Sequence, residues 1–233
     1  MDTRAWISSQ SIPTLHAPPL QHVIDACVLP HGCVVECGVY TGGSIRSLAT
    51  LGRATFGFDS FQGLPETWHR PDDSRFVKGY FAMDVLPEVR ETNVCLVPGW
   101  FEDTLPAWTP PEPIALLHVD CDLYSSTRTV LETLETHFAD GIVIVFDELV
   151  NYPGYEDHEA KALVEFLDRH PDWRLEWIGT HGPVRPQPEK DNGYWDQPAA
   201  IRLCRRRGQP PAVAAVAAEP ADAAELAARA DPQ

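Results

Sequence analysis

Four acids close two apolar runs: Asp120 and Asp122 follow the run 114–119, and Asp147 and Glu148 follow the run 142–146. A short apolar run with turn residues at its ends reads as a buried strand. Strands that end in carboxylates line one edge of a sheet with negative charge, and open α/β sheets bind ligands at their carboxyl edge. Like charges gathered there repel unless a cation or a shared proton joins them. The chemistry this suggests is a divalent ion held by hard oxygen ligands, with one acid, Asp122, acting as a general base. A single acid would be explained as well by helix capping or solvation; four together are better explained by a cation.

A second constellation lies upstream. Glu36 precedes a glycine-rich turn containing Gly38, Tyr40, Gly42, Gly43 and Ser44, between an apolar run at 33–37 and a helical pattern at 45–51. Glycines let the backbone approach a ligand, and the helix start offers unpaired N–H groups; Ser44 is the expected N-cap. The spacing is neither the GxGxxG of dinucleotide folds nor a lysine-bearing phosphate loop. Glu36 is placed to receive an ammonium group rather than a pyrophosphate. Asp59, closing the run 55–59, can accept both hydroxyls of a ribose. Together these select an adenosine ligand with a cationic end, which describes S-adenosylmethionine.

The elements that must position these residues alternate. An irregular lead-in precedes a helix at 20–28. The strand at 33–37, the helix at 45–51 and a strand at 55–59 follow, then a long loop at 60–91 carrying Trp68, Phe76, Tyr80 and Phe81. Long loops of this kind are often functional, and this one reads either as a lid or as an excursion that its aromatics anchor to the core. A strand at 94–97 leads to Gly99, Trp100 and Phe101, whose rings suit either adenine stacking or core packing. Next come a strand at 114–120, a helix at 125–137 ended by Gly141, a strand at 142–147, a helix at 156–169, and strands at 174–178 and 199–204. Such alternation implies an α/β fold with right-handed crossovers and a parallel sheet. The last two strands have no helix between them and can pair antiparallel.

The 233 residues suit one domain at 1–207, with an Ala/Pro-rich tail at 208–233 expected to be disordered apart from a weak helix at 221–230. No apolar run reaches the roughly 18 residues that span a bilayer, and the first residues lack the features of a signal peptide. A cytoplasmic protein without a membrane partner is expected. The net charge of −16, of which the tail contributes about −3, would repel a phosphate backbone and argues against nucleic acid. The six cysteines form no CxxC pair, so neither a zinc site nor a disulfide framework is expected.

Four ordered blocks, Val35–Ser44, Gly57–Glu66, Gly99–Pro106 and Asp120–Thr127, resemble the class I S-adenosylmethionine-dependent methyltransferases, and more narrowly the macrocin O-methyltransferase (TylF-like) family. The resemblance implies a Rossmann-like, seven-stranded, mostly parallel sheet with an antiparallel last strand. It implies a cofactor held by Glu36, Gly38, Tyr40, Gly42, Ser44, Asp59 and Ser60, with Gly99, Trp100 and Phe101 near the adenine. It further implies Mg²⁺ on Asp120, Asp147 and Glu148; Asp122, two residues beyond Asp120, is the expected general base, and with Asp120 it makes up the catalytic residues. The acceptor would be a hydroxyl of a small molecule, a secondary metabolite or sugar, and the assembly a homodimer or larger. Residues 1–30 would form a segment on the substrate side. Glu148 departs from the two consecutive aspartates of the relatives. The alternatives are metal-independent transfer to a carboxylate or nitrogen, and a non-catalytic cofactor-fold binding module.

Overall fold

The computed structural model describes residues 2–71, 75–185 and 197–206; the tail at 208–233 lies outside the described residues. The chain begins with α1 (Thr3–Ser8), where an irregular lead-in was expected. The missed signal is Asp2, whose Oδ1 accepts the Ala5 N–H at 2.7 Å and caps the helix. α2 spans Pro19–Ala26, with proline at its first position; proline's missing N–H costs nothing there.

β1 (Cys33–Cys37), α3 (Gly43–Ala49), β2 (Thr55–Asp59) and β3 (Val94–Pro98) follow. α4 (Phe101–Ala107) was not anticipated, because Pro106 reads as a breaker yet sits in its last turn. β4 (Ile114–Val119) is entirely buried. α5 (Tyr124–Leu134) ends in a 3₁₀ turn at Glu135–His137. β5 (Phe138–Val150) is much longer than the expected 142–147: Gly141, taken as a helix stop, lies inside it at φ +83°. The extra residues are absorbed by a shift of register against β4, from Ile114 opposite Phe138 to Leu116 opposite Val143. A 3₁₀ turn at Tyr155–Asp157 leads into α6 (Glu159–Arg169), and β6 (Trp173–Thr180) and β7 (Gln197–Arg205) complete the chain.

The strands form one sheet in the order β3-β2-β1-β4-β5-β7-β6. β1 to β5 are parallel, and β7 inserts antiparallel between β5 and β6. This is the expected seven-stranded, mostly parallel α/β sheet with an antiparallel last strand. Side chains alternate between its faces. Val34, Leu116, Val143, Val145 and Ala200 pack with Val23 of α2 and Leu48 of α3. Val35, Leu117, Ile144, Phe146 and Ile201 pack with residues of α1, α5 and α6. The order reverses between β1 and β4, which opens a crevice at their carboxyl ends. All six cysteines are free thiols. Among the described residues no helix is long and apolar enough to cross a membrane.

Candidate active site

A cleft of about 300 Å³ opens at that crevice. One wall is the turn after β1. Gly38 has φ +94°, and a Cβ there would stand 1.6 Å from the Asp120 carbonyl oxygen, so only glycine lets the tips of β1 and β4 come this close. Gly42, at φ +78°, is the N-cap of α3. Ser44, the expected N-cap, instead lies within the first turn of that helix. A left-handed cap residue favours glycine, which explains the difference. Neither Gly42 nor Ser44 lines the cleft, whereas Gly38 and Tyr40 do.

Asp59 lines the cleft at the tip of β2 and also braces the turn. Its Oδ2 accepts the N–H groups of Val39 and Tyr40, each at 2.8 Å, and its Oδ1 accepts the Phe61 N–H at 2.7 Å. The sequence suggested a ribose acceptor; the strut role needed coordinates. Ser60, Trp100 and Phe101 complete this side of the cleft, while Gly99 is not in its wall.

The loop after β2 doubles back on itself, with Trp68 N–H donating to Phe76 O at 2.8 Å and Leu64 N–H to Tyr80 O at 2.9 Å. Trp68 is buried, and the Arg70 guanidinium lies 4.6 Å from the ring centres of both Trp68 and Tyr152. Such cation–π contacts contribute about 0.5–2 kcal/mol. Trp68 therefore anchors the loop, while Leu64, Pro65 and Phe81 face the cleft. Phe81 meets Tyr40 edge-on at 5.4 Å. Tyr40, Phe81 and Asp122 hold left-handed backbones at φ 47°, 69° and 62°, so three non-glycine residues at the cleft lip are strained.

The acids gather at the tips of β1, β4 and β5, where the two-residue period places some of them on a common face. Glu36 stands opposite His118 in the β1–β4 register, on the face shared with Val34 and Leu116. Asp120 continues that face of β4, and Asp147 follows Val145 on the same face of β5. His118, Asp120 and Asp147 each offer a ligand atom within 4.8 Å of the others. Glu36 does not reach the cleft: it is fully buried, and its Oε1 lies 2.8 Å from His118 Nδ1. The sequence suggested a carboxylate facing an ammonium group; here its Oε1 faces His118 and its Oε2 is buried without a hydrogen bond. Glu148 lines the cleft beside Asp147, with which its side chain hydrogen-bonds, and its N–H donates to Glu159 Oε2 at 3.2 Å. The group of ligand atoms within 4.8 Å of one another comprises His118, Asp120 and Asp147 and does not include it. His118 is not among the residues named from the sequence; counting by twos along β4 from Asp120 leads to it.

The electrostatics follow. Burial, then the charge of Asp147, pushes the Asp120 carboxyl well above the usual range, with His118 opposing. Burial alone would lower the His118 imidazole, but the carboxylates of Asp147, Glu36 and Asp120 outweigh it and hold it well above its ordinary value. Burial followed by the charge of Asp122 raises both Glu148 and Glu159. Asp122 itself is buried, lines the cleft and faces these two acids. His158 stacks on Tyr152 and approaches the His69 carbonyl at 3.2 Å, away from the cleft wall.

Glu159 carries a prediction. Its Oε1 is buried without a partner, while Oε2 holds the Glu148 N–H. A carboxylate at the start of α6 gains about 0.3–1 kcal/mol from the helix dipole, less than the several kcal/mol that burying a charge costs. Because its folded pKa is raised, the folded state binds more protons. The penalty is absent below the ordinary carboxylate range and grows as pH rises through the raised value. Glu159→Gln should raise the melting temperature of metal-free protein at pH 8 by about 2–4 °C per kcal/mol relieved, and the gain should shrink toward pH 5. Calorimetric melts at the two pH values check this; a gain that grew on acidification would contradict it.

Comparison with known proteins agrees with this geometry. Residues 19–168 match the profile of the family described as Macrocin-O-methyltransferase (TylF). The chain is 31% identical to the 8-demethyl-8-(2,3-dimethoxy-alpha-L-rhamnosyl)-tetracenomycin-C 4'-O-methyltransferase of Streptomyces olivaceus, over 50% of this chain and 52% of that one. It is 30% identical to the demethyldecarbamoylnovobiocin O-methyltransferase of Streptomyces niveus, over 59% of this chain and 61% of that one. The chain thus spans about half to three-fifths of the length of these relatives. Among solved structures, CalS11, a calicheamicin methyltransferase, superposes with a TM-score of 0.54 at 26% identity, over 78% of this chain and 74% of that one.

Proposed function

This chain belongs to the macrocin O-methyltransferase family, and we propose that it methylates a hydroxyl of a glycosylated small molecule, using S-adenosylmethionine and a divalent cation. The observation that carries the reading is the meeting, in one cleft, of an Asp59-braced glycine turn with Asp120, Asp122 and Asp147. The relatives' names support the acceptor class: both are O-methyltransferases, and one is named for a rhamnosyl-bearing tetracenomycin.

The residues fit both groups. The adenosine side of S-adenosylmethionine has Asp59 and Ser60 for its ribose and Trp100 and Phe101 for its ring, and Gly38 leaves the backbone bare beside it. A divalent cation has Asp120 and Asp147, whose repulsion it would relieve; Mg²⁺ suits their oxygen ligands. When bound, the cofactor supplies an electrophilic methyl group, and the cation lowers the pKa of the acceptor hydroxyl.

The chain's own part is to hold and align. Asp59 keeps the turn folded through three backbone N–H groups. Asp120 and Asp147, at the tips of β4 and β5, would hold the cation that meets the acceptor oxygen. Asp122 Oδ is the base that takes the hydroxyl proton. Leu64, Pro65 and Phe81 exclude water, and the loop at 60–91 together with residues 1–30 shapes the acceptor side. Holding two partners in line is a large part of such catalysis.

The test is methyl transfer to a panel of O-demethylated antibiotic glycosides, with and without EDTA, beside calorimetric titration of S-adenosylhomocysteine. Turnover that EDTA abolishes and added metal restores is the expected result. Turnover indifferent to EDTA would remove the cation from the reading, and absence of S-adenosylhomocysteine binding would remove the cofactor.

A further inference from the structure

We propose that His118 Nε2 is a direct ligand of the cation held by Asp120 and Asp147, which makes the centre a mixed nitrogen–oxygen site selecting a transition ion such as Mn²⁺ over Mg²⁺. The inference rests on the metal-assisted reading above and adds to it a ligand and an ion class.

The first support is an orphaned atom. His118 is 1% exposed, and its Nε2 has no hydrogen-bond partner. Buried polar atoms are almost always paired, so one that is not requires a reason. This one points toward Asp147: Nε2 lies 3.8 Å from Asp147 Oδ1, within ion-pair range but too long for a hydrogen bond. The separation suits two ligands on one ion, which stand about 3.0 Å apart when adjacent and about 4.2 Å apart when opposite, for bonds of about 2.1 Å.

The second support is the other ring nitrogen. His118 Nδ1 lies 2.8 Å from Glu36 Oε1, on a carboxylate that is itself fully buried. Metal-bound histidines characteristically donate their second N–H to a carboxylate, which fixes the tautomer and aims the free nitrogen at the ion. Glu36 is in place to do this, because Glu36 and His118 are partners in the β1–β4 register. Its burial away from the cleft, unexplained by a cofactor contact, follows from the same role.

The third support is topology. His118 and Asp120 stand two residues apart on one face of β4, and Asp147 is on that face of the adjacent β5. All three ligand atoms lie within 4.8 Å of one another. Sites of carboxylate and water alone suit Mg²⁺, whereas an imidazole nitrogen shifts preference toward first-row transition ions.

The experiment uses the full chain stripped of metal. MnCl₂ and MgCl₂ are titrated by calorimetry, and the Mn²⁺-loaded protein is examined by pulsed electron paramagnetic resonance. The expected results are Mn²⁺ binding at least about tenfold tighter than Mg²⁺ and a coupling from directly bound ¹⁴N. Incorporation of ¹⁵N-histidine should replace that coupling with the ¹⁵N one, and His118→Asn should abolish it. Asparagine can keep the bond to Glu36 while removing the Nε2 ligand. The isotope result decides the matter even if the variant does not fold. Mn²⁺ bound without nitrogen coupling, or with coupling that survives in a folded His118→Asn protein, would overturn the ligand and leave the metal-assisted reading standing. Binding of neither ion would overturn both.

Discussion

Asp120→Asn is expected to reduce methyl transfer on the order of 10³-fold while leaving S-adenosylhomocysteine affinity within about threefold. Metal-ion assistance contributes several kcal/mol to a transition state, and each 1.4 kcal/mol or so is a factor of ten in rate. An amide keeps the shape of Asp120 but gives up the charge that would hold the proposed cation. The same substitution should not lower the melting temperature of the metal-free protein. Asp120 is half-buried beside Asp147, and both desolvation and that charge push its carboxyl well above the usual range. Removing the charge therefore removes a repulsion. Lost activity with undiminished stability separates a functional role from a structural one. Full turnover in this variant would show that the acids at the tips of β4 and β5 hold no cation that the reaction needs.

Asp59→Ala should have the opposite signature, weakening cofactor binding on the order of 100-fold and lowering the melting temperature together. The carboxylate accepts three backbone N–H groups, from Val39, Tyr40 and Phe61. Hydrogen bonds to charged groups contribute about 1.5–3 kcal/mol each, and donors left unsatisfied cost more. The turn after β1 would lose its brace and the ribose its acceptor in one step. Asp59→Asn, which keeps one oxygen, should fall between wild type and alanine. Titration with S-adenosylhomocysteine, beside thermal melts, checks both effects. Unchanged affinity in the alanine variant would mean that the ligand is held elsewhere in the cleft.

The architecture was readable because each strand is a compact apolar run and each helix carries a repeating inward face. The sheet of alternating units, the antiparallel pairing at its end and the family all follow from those patterns and from the four blocks between Val35 and Thr127. What escaped has local physical causes. α1 depends on one capping carboxylate at Asp2. α4 tolerates Pro106 because the ring lies in its last turn. β5 runs through Gly141 because a shift of register takes up the extra length. For the site, Asp59, Asp120, Asp122 and Asp147 could be named from position alone. The surroundings of Asp147 and Glu148 could not be counted from the strand period, because the pairing of β5 with β7 shifts register just after Phe146. The pairing of Glu36 with His118 depends on the register between β1 and β4, which no single strand encodes.

The left-handed backbones of Tyr40, Phe81 and Asp122 have an evolutionary reading. Glycine would adopt each of these geometries with roughly 1 kcal/mol less strain. A lineage bred only for heat tolerance would therefore drift toward glycine at its entrance, trading away two aromatic rings and a carboxylate for robustness. In this chain durability and side-chain chemistry therefore pull apart along the cleft, most of all at the two aromatic positions.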